Sequence, residues 1–247
     1  SYDLLFESRA WLLPAAVAAG GLLGALHGVD REDVSAERSG LVKRHDTFGS
    51  FLEHWTVVAG GALLILSGVW LGFLFVPRLA ATTETVGLAM NVHWAGTVFL
   101  LFAATYHAAA LVMGDHRSVL PGRDDLRASF EDIGHYLRLT EAPEAEKYLP
   151  IQKVSYVIWA VLLGVVGVTG LVKAADYVGT VSSGTKAAAT LVHDVFALLT
   201  ILFLAVHVAV VFMPSHLQLL RSQVTGWIPR EYVREHHPRW DRELGKR

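Results

Sequence analysis

The sequence predicts an all-α integral membrane protein in which five transmembrane helices form a four-helix bundle plus an extra N-terminal helix. Apolar residues make up 53% of the 247 residues, and charged residues only 18%. Crossing about 30 Å of hydrocarbon takes roughly 20 apolar residues in helical form, and five stretches reach that length. They are Ala10–Gly28, Phe51–Val76, Leu88–Met113, Ile151–Val172 and Thr185–Met213.

The first stretch is predicted to be a helix of the folded protein rather than a signal peptide. The segment before it carries Asp3 and Glu7 against Arg9 alone, which is a poor basic region for a signal. We therefore expect three parts. Residues 1–43 form the extra helix and its cytoplasmic connection, residues 44–220 form the helical bundle, and residues 221–247 form a cytoplasmic tail that caps the inner loops or a partner.

Two of the apolar stretches carry histidine pairs with the same spacing. His93 and His107 lie fourteen residues apart in one stretch, and His193 and His207 repeat that spacing in another. A helix turns 100° per residue, so fourteen residues return to nearly the same face and advance about 21 Å. Ionisable residues inside a membrane are costly and mark functional sites. Because two haems across a bilayer require imidazoles at two depths, the pattern predicts a di-haem cytochrome b.

The distribution of Lys and Arg predicts the orientation in the cell membrane. Sixteen of the 21 basic residues lie in alternate connections, namely Val29–Ser50, Gly114–Pro150 and Pro214–Arg247. The opposite connections, Pro77–Gly87 and Lys173–Gly184, hold only two. Since basic loops stay in the cytoplasm, we expect a multi-pass protein with its N-terminus outside and its C-terminus cytoplasmic.

This orientation places the histidines at two levels. His93 and His193 lie near the outer ends of their helices and form a natural bis-imidazole pair for one haem. His207 lies at the inner level and has two possible partners, His54 or His107. Neutral imidazole is a good iron ligand, so either pairing would give the inner haem two imidazole ligands.

Cysteine is absent, and this restricts the cofactors. The chain lacks the thiolates that bind iron–sulfur clusters and the motif that attaches haem covalently. The haems are therefore expected to be b-type, and any cluster that supplies electrons belongs to another subunit. A net charge of −2 indicates no nucleic-acid role, and no motif for a catalytic residue is present.

Several motifs occur in a specific order along the chain. EHWT at 53–56 is followed by LSG at 66–68, KY at 147–148 by QK at 152–153 and TG at 169–170, and GWI at 226–228 by EHHPRW at 235–240. Together they resemble the cytochrome b (gamma) subunit of membrane-bound formate dehydrogenases. The similarity covers roughly residues 44–243 and extends to related subunits of nickel–iron hydrogenases and other molybdenum enzymes.

The resemblance implies a ligand set for the two haems. His93 and His193 correspond to the ligands of the outer haem, and His54 and His207 to those of the inner haem. His107 is not part of the family pattern and stays the alternative inner ligand. The family commonly has four membrane helices, so the N-terminal helix is additional in this chain.

The resemblance also implies a quinone site, for menaquinone or ubiquinone, beside the inner haem. Gln152 and Lys153 match the family at the start of a membrane helix, although the preceding Leu149-Pro150-Ile151 replaces the family's Asn-Ala-Gly. Lys153 is expected either to serve quinone or a haem propionate, or to extend to the aqueous interface. Arg44, just before the second helix, is expected to neutralise propionates or to be a positive-inside residue.

The resemblance implies that this chain is an electron-transfer subunit of a respiratory oxidoreductase complex, typical of anaerobic respiration. Its partners would be an iron–sulfur subunit, a molybdenum or tungsten catalytic subunit, quinone and membrane lipid. Formate as the electron donor rests on the resemblance alone, and a nickel–iron hydrogenase or another molybdenum enzyme is the alternative. A different class also fits the histidines, namely a haem-free transporter or scaffold that relays protons or binds a metal.

Overall fold

A computed structural model describes residues 3–29, 36–46, 48–114, 117–141, 143–179 and 181–246. Within these ranges the chain forms ten α-helices and one small sheet. The helices are α1 (Leu5–Arg9), α2 (Leu12–Val29), α3 (Gly49–Leu71), α4 (Thr83–Met113), α5 (Asp125–Tyr136), α6 (Pro150–Ala175), α7 (Ser183–Val211), α8 (Leu217–Thr225), α9 (Arg230–His236) and α10 (Pro238–Leu244). The strands are β1 (Glu37–Arg38), β2 (Leu41–Lys43) and β3 (Trp227–Pro229).

Five of the described helices, α2, α3, α4, α6 and α7, are long and apolar enough to cross a membrane. Large apolar side chains on them remain exposed, for example Leu22 (62%), Val161 (52%) and Leu202 (56%). Apolar surface on this scale is unfavourable in water, whereas lipid accommodates it. The predicted all-α integral membrane fold is confirmed, and the chain is a multi-pass membrane protein.

The end of α3 differs from its prediction because of one glycine. The helix ends at Leu71, five residues before the predicted end at Val76. Gly72 follows with φ +79°, a left-handed conformation that favours glycine. A Cβ there would also lie 2.8 Å from the backbone of Arg78. The apolar run therefore continues past the point at which the backbone leaves the helix.

The beginning of α4 also differs from its prediction, because a threonine caps it. The helix begins at Thr83, five residues before the predicted Leu88. The Thr85 N–H donates to Thr82 Oγ1 at 3.2 Å, which satisfies one of the amide groups left unpaired at a helix start. Hydropathy alone does not register this polar first turn.

The described residues divide into two compact units, and each is described by itself. The first unit draws on 1–29, 52–113 and 162–205. The second unit draws on 30–51, 114–161 and 206–247.

In the first unit, the extra N-terminal helix packs closely along α4. A Cβ at Gly20 would overlap the backbone of Phe102, and a Cβ at Gly24 would overlap that of Tyr106. Such close helix approach is what small residues permit inside membranes. The α1 segment adds a polar contact, in which the Leu5 N–H donates to Asn91 Oδ1 at 2.8 Å. The extra helix is thus packed against the helix that carries two of the candidate haem ligands.

In the second unit, a three-stranded antiparallel sheet in the order β1-β2-β3 joins residues 37–43 to the C-terminal tail. Val42 of β2 pairs with Ile228 of β3. These two side chains form a core with Leu219, Val233 and Trp240. The tail therefore packs on residues that precede α3.

A second set of contacts fixes the tail to the connection before α6. His237 Nδ1 lies 2.7 Å from the Glu146 carbonyl oxygen, and the Arg239 N–H donates to the Ala145 carbonyl at 3.0 Å. His237 is fully buried. The expected capping tail docks on loops of its own chain.

Candidate functional site

The first unit brings two of the predicted ligands face to face. The imidazole of His93 on α4 and that of His193 on α7 have ring centroids 6.3 Å apart, with ring planes inclined at 60°. Both residues lie within helices that can cross a membrane. The structure thus places a pair of imidazoles between two membrane helices, at the level predicted to be the outer one.

Ser67 on α3 fixes the orientation of His93. Its Oγ lies 2.9 Å from His93 Nδ1 and donates its own proton to the Leu63 carbonyl oxygen at 2.5 Å. With that proton committed, the hydroxyl oxygen accepts from His93, so Nδ1 carries the imidazole hydrogen. The Nε2 atom of His93 is therefore the nitrogen with a free lone pair.

Thr169 on α6 gives His193 the same arrangement. His193 Nδ1 lies 3.2 Å from Thr169 Oγ1 and 3.1 Å from the Val166 carbonyl oxygen. A carbonyl oxygen can only accept, so Nδ1 carries the hydrogen in this ring as well. Thr169 in turn donates to the Val165 carbonyl at 2.7 Å. In both imidazoles Nε2 is thus the nitrogen with a free lone pair, through which the ring could bind a metal ion.

The pair fits a haem iron in spacing as well as in tautomer. Two imidazoles that bind one metal from opposite sides through bonds of about 2 Å place their ring centroids about 6 Å apart. The observed 6.3 Å agrees with this value. Small residues also lie beside both rings, since a Cβ at Gly170 would be 3.3 Å from His193 Cε1 and one at Gly68 would be 3.9 Å from His93 Cε1.

The other two candidate ligands of the first unit are His54 and His107. His54 on α3 packs edge-on against Trp55, with ring centroids 5.4 Å apart. His107 on α4 has its Nδ1 2.5 Å from Glu53 Oε1. A carboxylate on Nδ1 can orient an imidazole that binds metal through Nε2, and it can equally form a plain ion pair. The sequence alone did not indicate this contact.

His207 belongs to the second unit. Its ring packs edge-on against Trp159, with centroids 5.8 Å apart and planes at 86°. It lies fourteen residues after His193 on α7, which is about 21 Å along a helix axis. Because His54 and His107 belong to the other unit, the pairing of His207 with either of them stays a prediction.

Gln152 lies in the first turn of α6 with its acceptor already engaged. Its Oε1 accepts from the Leu149 N–H at 3.0 Å and from Arg44 Nη2 at 3.4 Å. No partner for its amide nitrogen is found in the part of the chain that the structure describes. The donor end of this side chain is therefore the part that can serve a ligand.

Lys153 is buried rather than extended to the aqueous interface. Its side chain is only 7% exposed, and its Nζ lies 2.7 Å from Glu146 Oε2 and 3.2 Å from Asp125 Oδ2. Two carboxylates thus neutralise this cation within the second unit. Sequence reasoning missed both partners, because Asp125 lies 28 residues away in a different helix.

Arg44 is the most deeply buried cation of the second unit. It is 2% exposed and reaches Ser222 Oγ at 3.3 Å, the Lys147 carbonyl at 3.5 Å and Gln152, while its guanidinium lies 5.6 Å from the Tyr148 ring centroid. Burial lowers the pKa of Arg44 from its ordinary value. Its observed partners are neutral. Its bonds to Lys147 and Gln152 link the segment before α3 to the start of α6.

The geometry defines a class of protein. Two imidazoles on separate membrane-crossing helices, each protonated on Nδ1 and 6.3 Å apart between ring centroids, could hold a haem iron, as the histidines of a membrane cytochrome b do.

Comparison with known proteins identifies the family. Residues 44–226, about three quarters of the chain, match the family described as prokaryotic cytochrome b561, and the chain therefore belongs to that family. This membership implies a b-type haem and an electron-transfer role in the membrane. The formate dehydrogenase cytochrome b556 subunit of Haemophilus influenzae is 28% identical over 200 residues, which cover 78% of this chain and 79% of that protein. The resemblance inferred from the motifs is confirmed.

Proposed function

We propose that this chain is the membrane-anchor subunit of a respiratory oxidoreductase. It conducts electrons through two b-type haems between an iron–sulfur subunit and the membrane quinone pool. The observation that carries the proposal is the facing pair of His93 and His193 at 6.3 Å. A bound haem supplies one-electron chemistry, and the chain supplies its ligands, their orientation and an apolar surrounding.

We assign His93 and His193 to the outer haem, and His54 and His207 to the inner haem. The outer assignment is supported by the geometry of the first unit. The inner assignment is supported by the EHWT motif and by the spacing of His207 from His193 on α7, about 21 Å along the axis. His107 is the alternative inner ligand, with Glu53 as the group that would orient it.

The neighbouring side chains hold the outer pair for this role. Ser67 and Thr169 accept the Nδ1 hydrogens of the two rings and so keep Nε2 available for iron. Hydrogen bonds to a ligand imidazole orient the ring and raise its basicity. The apolar helices around the pair exclude water, so the bonds from these hydroxyl groups are not exchanged for bonds to solvent.

We place the quinone site at the start of α6, beside Gln152. A quinone carbonyl needs a hydrogen-bond donor in an otherwise apolar pocket. The amide nitrogen of Gln152 supplies such a donor, because its oxygen is already held by Leu149 and Arg44. Lys153, which is neutralised by two carboxylates, supports the first turn of α6. The site accepts menaquinone or ubiquinone.

The partners follow from the relative and from the composition of the chain. The Haemophilus influenzae relative is named as a formate dehydrogenase cytochrome subunit, so formate is the electron donor that we propose, oxidised by a molybdenum or tungsten catalytic subunit. The chain has no cysteine, so any cysteine-ligated cluster lies in the iron–sulfur partner. A nickel–iron hydrogenase is the second candidate, on the same sequence resemblance. The basic loops favour a cytoplasmic C-terminus.

A single optical experiment on the purified full chain tests the proposal. The chain is reduced with a stoichiometric amount of dithionite, and menadione is then added without air. We expect a b-type absorption band on reduction and its loss when quinone is added. A chain without any haem band would belong to the haem-free class of transporters or scaffolds. A haem band that quinone leaves unchanged would contradict the quinone site, although the chain would still be a cytochrome.

A further inference from the structure

Two aspartates on one face of helix α5 form bonds with the first turn of the membrane-crossing helix α6. Asp132 Oδ2 accepts from the Ile151 N–H at 3.1 Å, and Asp125 Oδ2 pairs with Lys153 Nζ at 3.2 Å. Ile151 and Lys153 both lie in the first turn of α6. These bonds hold α5 at the level where α6 enters the membrane.

The middle of the same face of α5 is buried in the second unit. Ser129 is 3% exposed and Asp132 is 4% exposed, and Tyr136 OH lies 2.7 Å from His216 Nε2. With Asp125, these residues follow the spacing of a single helical stripe. This anchored stripe fixes the rotation of α5 about its axis, so the directions of its other faces are fixed as well.

A second stripe of α5 is apolar and exposed. Leu126 (59%), Phe130 (67%), Ile133 (43%) and, at the C-terminal cap, Leu137 (64%) recur at intervals of four, three and four residues. At 100° per residue they lie within about 60° of one another and about 100° from the anchored stripe. Four large apolar side chains are thus aligned on a face that the rest of the described chain does not cover.

The remaining face of α5 is charged. Arg127 and Glu131 form an ion pair one turn apart, with Nε to Oε1 at 3.2 Å, and the Arg127 side chain is 87% exposed. A helix with an anchored face, an apolar face and a charged face has the pattern of an interfacial amphipathic helix.

We propose that lipid covers the apolar stripe, and that α5 lies in the headgroup region of the bilayer. The stripe is continuous with a lipid-facing surface, because α5 is bonded to the first turn of a membrane-crossing helix whose apolar residues, such as Val161 (52%), are exposed. Interfacial helices bury their apolar face about 5–10 Å into the boundary of headgroups and acyl chains. Lipid contact at this stripe braces the first turn of α6.

The absence of cysteine makes the test direct. Phe130→Cys and Leu137→Cys each place a single label site on the apolar stripe, and Arg127→Cys places one on the charged face. Each full-length variant carries a nitroxide spin label and is reconstituted in vesicles of phosphatidylcholine and phosphatidylglycerol. Collision with oxygen, which concentrates in lipid, is compared with collision with a water-soluble nickel chelate.

We expect the ratio of oxygen to nickel collisions to be higher at positions 130 and 137 than at position 127. Equal ratios at all three positions would overturn the proposal, because the stripe would then face water. Immobile labels at 130 and 137 that neither reagent reaches would also overturn it, because a protein surface would then cover the stripe. The absorption band of each haem-loaded variant confirms that its fold is retained.

Discussion

Ser67 and Thr169 orient the two histidines that we propose as a ligand pair. Each hydroxyl lies within hydrogen-bond distance of one Nδ1 atom, at 2.9 Å for His93 and 3.2 Å for His193. Each is also followed by a glycine beside the ring. The same hydroxyl-to-imidazole hydrogen bond thus occurs in two helix pairs, α3 with α4 and α6 with α7.

We predict that Ser67→Ala and Thr169→Val each retain the haem and raise the midpoint potential of the outer haem. A hydrogen bond from Nδ1 makes the imidazole a stronger electron donor, which favours ferric iron, so its loss favours ferrous iron. The shift in Thr169→Val should be small, because His193 Nδ1 keeps the Val166 carbonyl as an acceptor at 3.1 Å. The double variant should shift further than either single one. An optical redox titration measures the shift.

Thr169→Ser is the matched control, because it keeps the hydroxyl and loses only a methyl group. Its potential should stay near that of the unchanged chain. The outer haem is the one that remains in a His207→Ala variant. A shift confined to the other haem, or none in either variant, would show that these hydroxyl groups do not act on the outer ligands.

A second prediction at this scale concerns Gln152. Gln152→Glu keeps the oxygen that Leu149 and Arg44 bind and removes the amide donor, whereas Gln152→Leu removes both. Quinone reduction should slow in Gln152→Glu while the haem content persists. A lost ligand hydrogen bond costs about 1 kcal/mol, or roughly a fivefold weaker affinity for quinone. Steady-state kinetics with varied quinone measure it, and wild-type kinetics in Gln152→Glu would remove this residue from the site.

A third prediction separates the two candidates for the inner ligand. His54→Ala should lose the inner haem and keep the outer one, whereas His107→Ala should keep both. His107→Ala leaves Glu53 without its imidazole partner, so that variant also needs a check of folding by its outer-haem spectrum. If His107→Ala loses a haem and His54→Ala does not, the assignment is reversed.

Only part of the site could be predicted at the residue scale. Helical spacing and hydropathy single out His93 and His193, because a costly residue in an apolar span stands out against its neighbours. The hydroxyl groups that hold them look like ordinary small residues of a membrane helix. The partners of Lys153 lie seven and 28 residues away, and such pairings depend on a tertiary arrangement that local patterns do not encode.

At the scale of elements, hydropathy locates the membrane helices better than their ends. All five predicted spans correspond to helices. The end of α3 is set by the positive φ of Gly72 and the beginning of α4 by a threonine cap, neither of which changes the hydropathy of the run. The short sheet has strands of two or three residues, too short to show an alternating pattern.

One titratable residue of the docked tail, His237, is fully buried. Its Nδ1 bonds to the Glu146 carbonyl oxygen, and its buried Nε2 has no partner within the described ranges. Burial, and secondarily the Arg44 guanidinium, lower the pKa of His237 from 6.5 to about 3. The titratable groups that face it are Arg44, His216, His236 and Tyr232. Protonation would place an unpaired cation beside another cation.

We predict that docking of the tail weakens in acid. The docked His237 excludes a proton that the released tail binds, so its contribution is full above pH 6.5 and falls as the pH drops towards 3. With the pKa lowered to about 3, the loss at pH 5 is about 2 kcal/mol. Hydrogen exchange of residues 221–247, corrected for the intrinsic pH dependence, measures the docking stability.

His237→Asn tests the cause of this dependence. Asparagine keeps a donor for the Glu146 carbonyl and does not titrate. The variant should lose most of the acid sensitivity between pH 7 and 5 while its tail stays docked at pH 7. Equal acid sensitivity in the two proteins would assign the effect to other groups.

At the scale of the whole molecule, we assign the two proposed haem levels to the membrane-crossing helices. One helix, α7, bears both His193 and His207, and fourteen residues correspond to about 21 Å along a helix axis. The sequence predicts both levels from this spacing. Membership of the cytochrome b561 family shows the electron-transfer role. The number of haems per chain decides whether there is one haem level or two.

The number of haems per chain tests that claim most directly. A pyridine haemochrome assay on the purified full chain, with protein measured by amino-acid analysis, gives this number, and membranes assayed before purification serve as the check for loss. We predict two haems per chain in the unchanged protein and one in His207→Ala. One haem per chain in both proteins, before and after purification, would contradict the account, since His207 would then hold no haem.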